Sequence, residues 1–148
     1  MASEFKLIRR VQFAETDMAG ILHFAEFFRY MEETEHAFFR SLGLSVQMQV
    51  EGRTIGWPRV RAECDYKSRL RFEDEVEVCL RVAEKRAKSL TYDFVFRKLG
   101  EAPPVEVARG RVTTVCVAMD ERSGQMKAVA IPAEISRHIE VSDAARLE

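Results

Sequence analysis

The sequence predicts an α+β fold in which an antiparallel sheet of about five strands wraps around one long helix. Three observations carry this. One segment near the N-terminus has helical apolar spacing, and most of the remainder alternates apolar and polar residues with the period of strands. Gly and Pro are few, 7 and 4, and mostly mark where one pattern gives way to another. A sheet with one apolar face and a helix with one apolar stripe bury each other, which is why the two belong together.

Phe5, Leu7, Val11 and Phe13 alternate with mostly polar residues and make a first strand. From Asp17 the alternation stops, and Gly20 has the backbone freedom for a tight turn. Phe24, Phe27, Phe28, Met31, Phe38 and Leu42 then follow spacings of three, four and seven, with Thr34 and Glu35 as a weak gap. They predict a helix over residues 23–42, roughly 30 Å long, that Gly43 stops. Residues 44–58 carry Gly52, Gly56 and Pro58 without clear period and leave room for a helical turn around Val46 to Val50.

Three strands with one apolar face each follow: Val60, Ala62, Cys64 and Tyr66; Val76, Val78, Leu80 and Val82; Tyr92, Phe94 and Phe96. Between Val105 and Met119 the apolar parity switches twice, which predicts bulges near Gly110 and Thr113-Thr114. Residues 120–124 read as a turn, Met126 to Ile131 as a last strand, and Pro132 as the start of a short helix to about Ile139, with a frayed tail beyond Val141. Without a repeat or linker, residues 1–148 are expected to form one domain.

Composition narrows the function. With 47% hydrophobic and 32% charged residues the chain is globular, not disordered. A net charge of −1 gives no general pull toward nucleic acid or an anionic membrane, so no nucleic-acid partner is expected. No apolar run approaches the ~20 residues of a membrane span, and the first residues lack the pattern of a signal peptide, so the expected location is cytoplasmic. Cys64, Cys79 and Cys116 are too irregular for a disulfide framework or a zinc site and read as small core residues, and no metal is expected. Bare edges of such a sheet invite a second copy.

Asp17, a turn and a helix start adjoin in one short run. By itself the pattern suits a turn or cap carboxylate as well as a reactive one. Asp17-Met18-Ala19-Gly20-Ile21-Leu22, before an aromatic-rich helix containing Glu32, resembles the signature of the 4-hydroxybenzoyl-CoA thioesterase family of the hotdog fold. The resemblance continues through Arg59 to Tyr66, Phe72-Glu73-Asp74, Lys88-Ser89-Leu90, Gly110 to Val117 and Ala130-Ile131-Pro132, nearly the whole chain. Its spacing is specific over the first forty residues and diffuse later. Three positions depart: Glu15-Thr16-Asp17 stands where many relatives have Asp-Thr-Asp, Glu73 where Gly is usual, and Phe24 where some relatives carry a polar side chain.

The resemblance implies hydrolysis of an acyl-CoA, aliphatic or aromatic, to free acid and CoA, which enters as substrate and not as cofactor. Such a reaction needs an attacking or activating group and donors for the oxyanion. Asp17 fits the first as nucleophile or general base; the backbone N–H of Phe24, at the positive end of the helix, fits the second, with Gly20 turning the chain between them. His23 either orients substrate or water or caps and packs the helix start. Glu32, Glu33 and Glu35 are reserve acids whose ordinary role is a solvated helix face, and His36 and His138 read as surface residues. Lys85, Arg86, Lys88 and Ser89 form a basic hairpin that either meets the CoA phosphates or is a solvated turn. A homodimer or homotetramer with the CoA arm between subunits is implied as well. Two alternatives are a non-catalytic acyl-CoA-binding module and a hotdog hydratase or dehydratase, whose His-Pro-Gly approach to the helix is missing here.

Overall fold

The computed structural model describes residues 1–143. In chain order the elements are β1 (Glu4–Arg10), α1 (Glu26–Ser41), β2 (Met48–Val50), β3 (Arg53–Gly56), β4 (Arg59–Tyr66), β5 (Glu75–Lys85), β6 (Ser89–Lys98), β7 (Val105–Val115), β8 (Val117–Met119), β9 (Met126–Ala128) and α2 (Ala133–Ser136). Five strands make the main antiparallel sheet in the order β1-β5-β6-β7-β4, and β2-β3-β8-β9 form a smaller one.

The two sheets share a bend. β3 runs through Trp57-Pro58 into β4, and β7 runs through Cys116 into β8, so the β4–β7 ladder turns a corner and continues as β3–β8. α1 packs on the inner face. Phe27, Tyr30, Met31, Phe38 and Phe39 from the helix are buried against Val78, Leu80, Tyr92, Phe94 and Phe96 from the sheet. Met31 of the helix reaches β7 at Gly110, where a Cβ would stand 2.4 Å from its Sδ.

Several boundaries differ from the sequence-based expectation. β1 ends at Arg10, because the Val11 N–H turns to the Asp74 carbonyl and residues Phe13–Glu15 form a single 3-10 turn. Phe13 lies outside, edge-on to Phe72. α1 begins three residues late, at Glu26, since His23 to Ala25 form the turn that feeds it. Its stripe is wider than expected, taking in Tyr30, Thr34, Glu35 and Phe39, while Phe24 is left out at 63% exposure.

The helical turn expected around Val46 to Val50 is instead the hairpin of β2 and β3, closed by Glu51 and Gly52, both at positive φ. The bulge expected near Thr113-Thr114 is there, but its extra residue is Val60 on the facing strand. The one expected at Gly110 falls at Val107, between the Phe96–Ala108 and Arg97–Glu106 pairs. The last strand and helix are shorter than expected, Met126–Ala128 and Ala133–Ser136. Of the tail expected to fray, Ser142 is buried and hydrogen-bonded to the Val82 carbonyl, and residues 144–148 lie outside the described residues. Cys79 and Cys116 are buried, whereas Cys64 is half-buried on β4.

In the main sheet, β4 leaves its apolar face open. Val60 is 62% exposed and Tyr66 45%, with Ala62 exposed between them. It is also an edge of the main sheet. No helix among the described residues is long and apolar enough to cross a membrane.

Candidate functional site

Asp17 sits in a small hairpin of its own. The Asp17 N–H donates to the Ile21 carbonyl (2.9 Å), Thr16 bridges Leu22, and the His23 N–H donates to the Glu15 carbonyl (2.9 Å). Met18, Ala19 and Gly20 close it. Gly20 holds φ 77°, the left-handed conformation that this three-residue loop puts at its last position. A third strand-like segment borders it, since the Leu22 N–H donates to the Leu70 carbonyl and Ile21 bridges Arg71. The buried side chains of Leu22 and Leu70 root the hairpin in the core.

The Asp17 carboxylate is half-buried. Its Oδ1 accepts the Ala19 N–H at 2.9 Å and the Ile21 N–H at 3.4 Å, so one oxygen serves the turn. Oδ2 has no partner among the described residues, which leaves a carboxylate oxygen for chemistry. The turn role and the reactive role are thus compatible in one side chain.

At the helix start the donors are divided. The Glu26 N–H goes to the His23 carbonyl and the Ala25 N–H to His23 Nδ1 at 3.3 Å, so His23 caps the first turn. The Phe24 N–H has no acceptor among the described residues. It lies just before the N-cap Ala25 of the 16-residue helix, near the positive end where negative charge is stabilised. The Phe24 carbonyl accepts the Tyr66 hydroxyl at 2.8 Å, and the Tyr66 ring packs edge-on against Phe27, so β4 holds this residue in place.

The basic hairpin is elsewhere. β5 begins at Glu75, beside the end of β1 that leads to Asp17, and ends at Lys85, ten steps or roughly 30 Å along the strand. Lys85 Nζ donates to the Ser136 and Ile139 carbonyls at 2.7 Å each and so fastens α2 to the sheet. Arg86 pairs with Glu84 at 3.5 Å, and its N–H closes the turn on the Ser89 carbonyl. Lys88 is exposed. Within one chain this hairpin and Asp17 occupy opposite ends of the sheet.

The reserve acids separate. Glu33 is on the surface and pairs with Arg9 at 2.6 Å, as a solvated helix face predicts, and Glu32 is exposed beside Arg59 at 3.6 Å. Glu35 contradicts that reading: it is 2% exposed and bound to Arg59. Burial pushes its carboxyl up while Arg59 pulls it down. Its Oε2 and the Trp57 indole N–H are buried without a hydrogen-bond partner among the described residues. His36 is half-buried beside Glu35, not free on the surface.

Sequence reading passed over Glu15. Its carboxylate accepts the Tyr30 hydroxyl at 2.6 Å, Arg9 at 2.7 Å and the Gln12 N–H at 2.8 Å, and Arg9 also stacks 4.2 Å above the Tyr30 ring. These donors hold its carboxyl below the usual carboxylate range against the opposing effect of burial. A cavity of about 600 Å³ lies on the small sheet, lined among others by Arg53, Glu121, Arg122 and Lys127, and no residue of the Asp17 hairpin lines it.

Residues 11–139 match the family model of the thioesterase-like superfamily. The chain belongs to this family. It is 31% identical, over 64% of its length and 68% of the relative's, to a 1,4-dihydroxy-2-naphthoyl-CoA hydrolase of Prochlorococcus marinus. It is 21% identical, over 85% of its length and 87% of the relative's, to an acyl-CoA thioesterase of Haemophilus influenzae. Among solved structures, the 1,4-dihydroxy-2-naphthoyl-CoA thioesterase of Synechocystis superposes with a TM-score of 0.79 at 25% identity, covering 91% of this chain and 94% of that one. The 4-hydroxybenzoyl-CoA thioesterase of Pseudomonas superposes equally well, 0.79 over 93% and 99%, at 18% identity. The fold is the hotdog fold that the Asp17 to Leu22 motif implied.

Proposed function

We propose that the protein hydrolyses acyl-CoA thioesters at the Asp17 hairpin. One observation carries the reading: a carboxylate with a free oxygen and a backbone N–H without an acceptor are held by a single rigid hairpin that opens into α1. As nucleophile, Asp17 attacks the thioester carbonyl, the C–S bond breaks, CoA leaves as thiolate and takes a proton, and water hydrolyses the anhydride. As general base, it takes the proton from a water that attacks directly. In both routes negative charge gathers on the carbonyl oxygen, where the Phe24 N–H and the helix dipole act. The chain's own residues supply this chemistry without a cofactor, and a cytoplasmic location is part of the reading.

The site is completed, on this reading, by a second copy. β4 leaves its backbone edge and its apolar face open. Antiparallel pairing of β4 with its symmetry mate sets the Arg59 end of one copy beside the Tyr66 end of the other. That brings one copy's basic hairpin toward the other's Asp17 and offers Arg86 and Lys88 to CoA phosphates, while Lys85 stays with α2. The relatives' named substrates make aryl-CoA esters the first to try.

The test is thiol release across a panel of aliphatic and aromatic acyl-CoAs. Asp17→Asn is expected to lower turnover by at least ~10²-fold with the melting temperature kept. Wild-type rates in the variant remove Asp17 from the mechanism, and tight binding without thiol release in the wild type makes the protein a binding module instead.

A further inference from the structure

Glu15 joins more of this site than any other side chain. Its carboxylate takes one donor from each of three places: Arg9 on β1, the Gln12 N–H on the 3-10 turn, and the Tyr30 hydroxyl on α1. Its carbonyl takes the His23 N–H. Two residues further along is Asp17, and one residue beyond His23 is Phe24. A single residue therefore ties the strand, the helix and both arms of the hairpin that carries the acid and the unpaired donor.

We propose that Glu15 is a positioning residue that sets the separation between the Asp17 carboxylate and the Phe24 N–H. It touches neither group and acts through the His23 step and the helix face at Tyr30. Rate is steep in such a separation, because a misplacement of about 1 Å in a reacting pair costs on the order of 10²-fold. Charge matters to the clamp. Arg9 and Tyr30 both donate to a carboxylate, and hydrogen bonds to an ionised acceptor are the strong ones. A Gln at this position keeps the size but offers one acceptor oxygen to three donors and sets an NH₂ against them. The surroundings are built for Glu: Arg9 is held from its other side by Glu33 and lies over the Tyr30 ring, so the donors stand where the longer carboxylate reaches them.

This rests on the hydrolytic reading of the site, and its test separates the two. Glu15→Gln and Tyr30→Phe, singly and together, are assayed for thiol release, and amide hydrogen exchange is followed at Leu22, His23 and Phe24. Expected are a fall in kcat of at least ~10-fold in Glu15→Gln with KM changed less than ~3-fold, a double variant no slower than Glu15→Gln alone, and faster exchange at His23 with the melting transition still cooperative. A variant that melts earlier yet keeps wild-type kcat and His23 protection overturns the proposal. If the wild type releases no thiol, the hydrolytic reading fails by itself, and the exchange at His23 still decides for or against the clamp.

Discussion

Glu73 shows what a single residue reveals once its backbone is known. It stands where the resembling family usually has Gly, and its φ is 69°, so the chain places a side chain in the left-handed region within the tight turn from Arg71 to Asp74. The turn is held by Asp74, whose Oδ2 accepts the Arg71 N–H at 2.7 Å. Left-handed backbone costs a residue with a Cβ roughly 1–2 kcal/mol, and Gly gives back about 0.5–1 kcal/mol of that in chain entropy. Glu73→Gly is therefore expected to stabilise the protein by up to ~1 kcal/mol, read as a rise in the urea midpoint; a fall would mean that the exposed carboxylate contributes more than the strain. Asp17, Gly20 and Phe24 adjoin in the sequence, and the resemblance of residues 17–22 to a known motif, not their local spacing, made them candidates. Glu15 and Glu35 were not legible. Their partners Arg9, Tyr30 and Arg59 lie up to 24 residues away, and charged helix positions look solvated until the sheet strand that covers them is placed.

At the scale of elements, periodicity gave the long helix and the strands β4 to β7, and it misled where coincidence extended it. Val11 and Phe13 continue the alternation of β1 although the chain has already left the sheet. The β2–β3 hairpin stayed hidden because its turn is Glu51-Gly52, with Glu where Asn or Asp would have signalled φ > 0 at both positions. The contact of α1 with β7 depends on one missing methyl group. A Cβ at Gly110 would meet Met31 Sδ at 2.4 Å and Cε at 2.8 Å, and the Glu63 carbonyl at 3.3 Å, inside a core where Met31 has almost no exposure. Gly110→Ala is expected to lower stability by about 1–3 kcal/mol. With Met31→Ala added, the combined loss should be less than the sum of the two separate losses, and strictly additive denaturation energies would show that the crowding is relieved by a simple side-chain swing.

For the whole molecule, pH reads out the buried ion pair that spans helix and sheet. Burial raises the Glu35 carboxyl above its ordinary value of 4.5 despite Arg59. The folded state thus holds this proton more tightly than the unfolded one, so the contribution to stability is fully present below the ordinary carboxylate range and is lost as pH rises through the folded-state value. Glu35→Gln abolishes that titration. From pH 4.5 upward the wild type is expected to lose stability relative to the variant, whatever their offset at the start, and parallel melting temperatures across the range would refute it.

The hydroxyl of Tyr66 reaches from the open edge of the sheet to the carbonyl of Phe24, the residue whose N–H is proposed as the oxyanion donor. If a second copy seals that edge, the tyrosine that steadies the donor is itself steadied only while two chains are together. Specific activity then becomes a function of the protein's own concentration. Diluted through its dissociation range, the enzyme should lose rate per chain in step with the loss of dimer mass by light scattering, and Val60→Asp should behave at every concentration as the diluted wild type does.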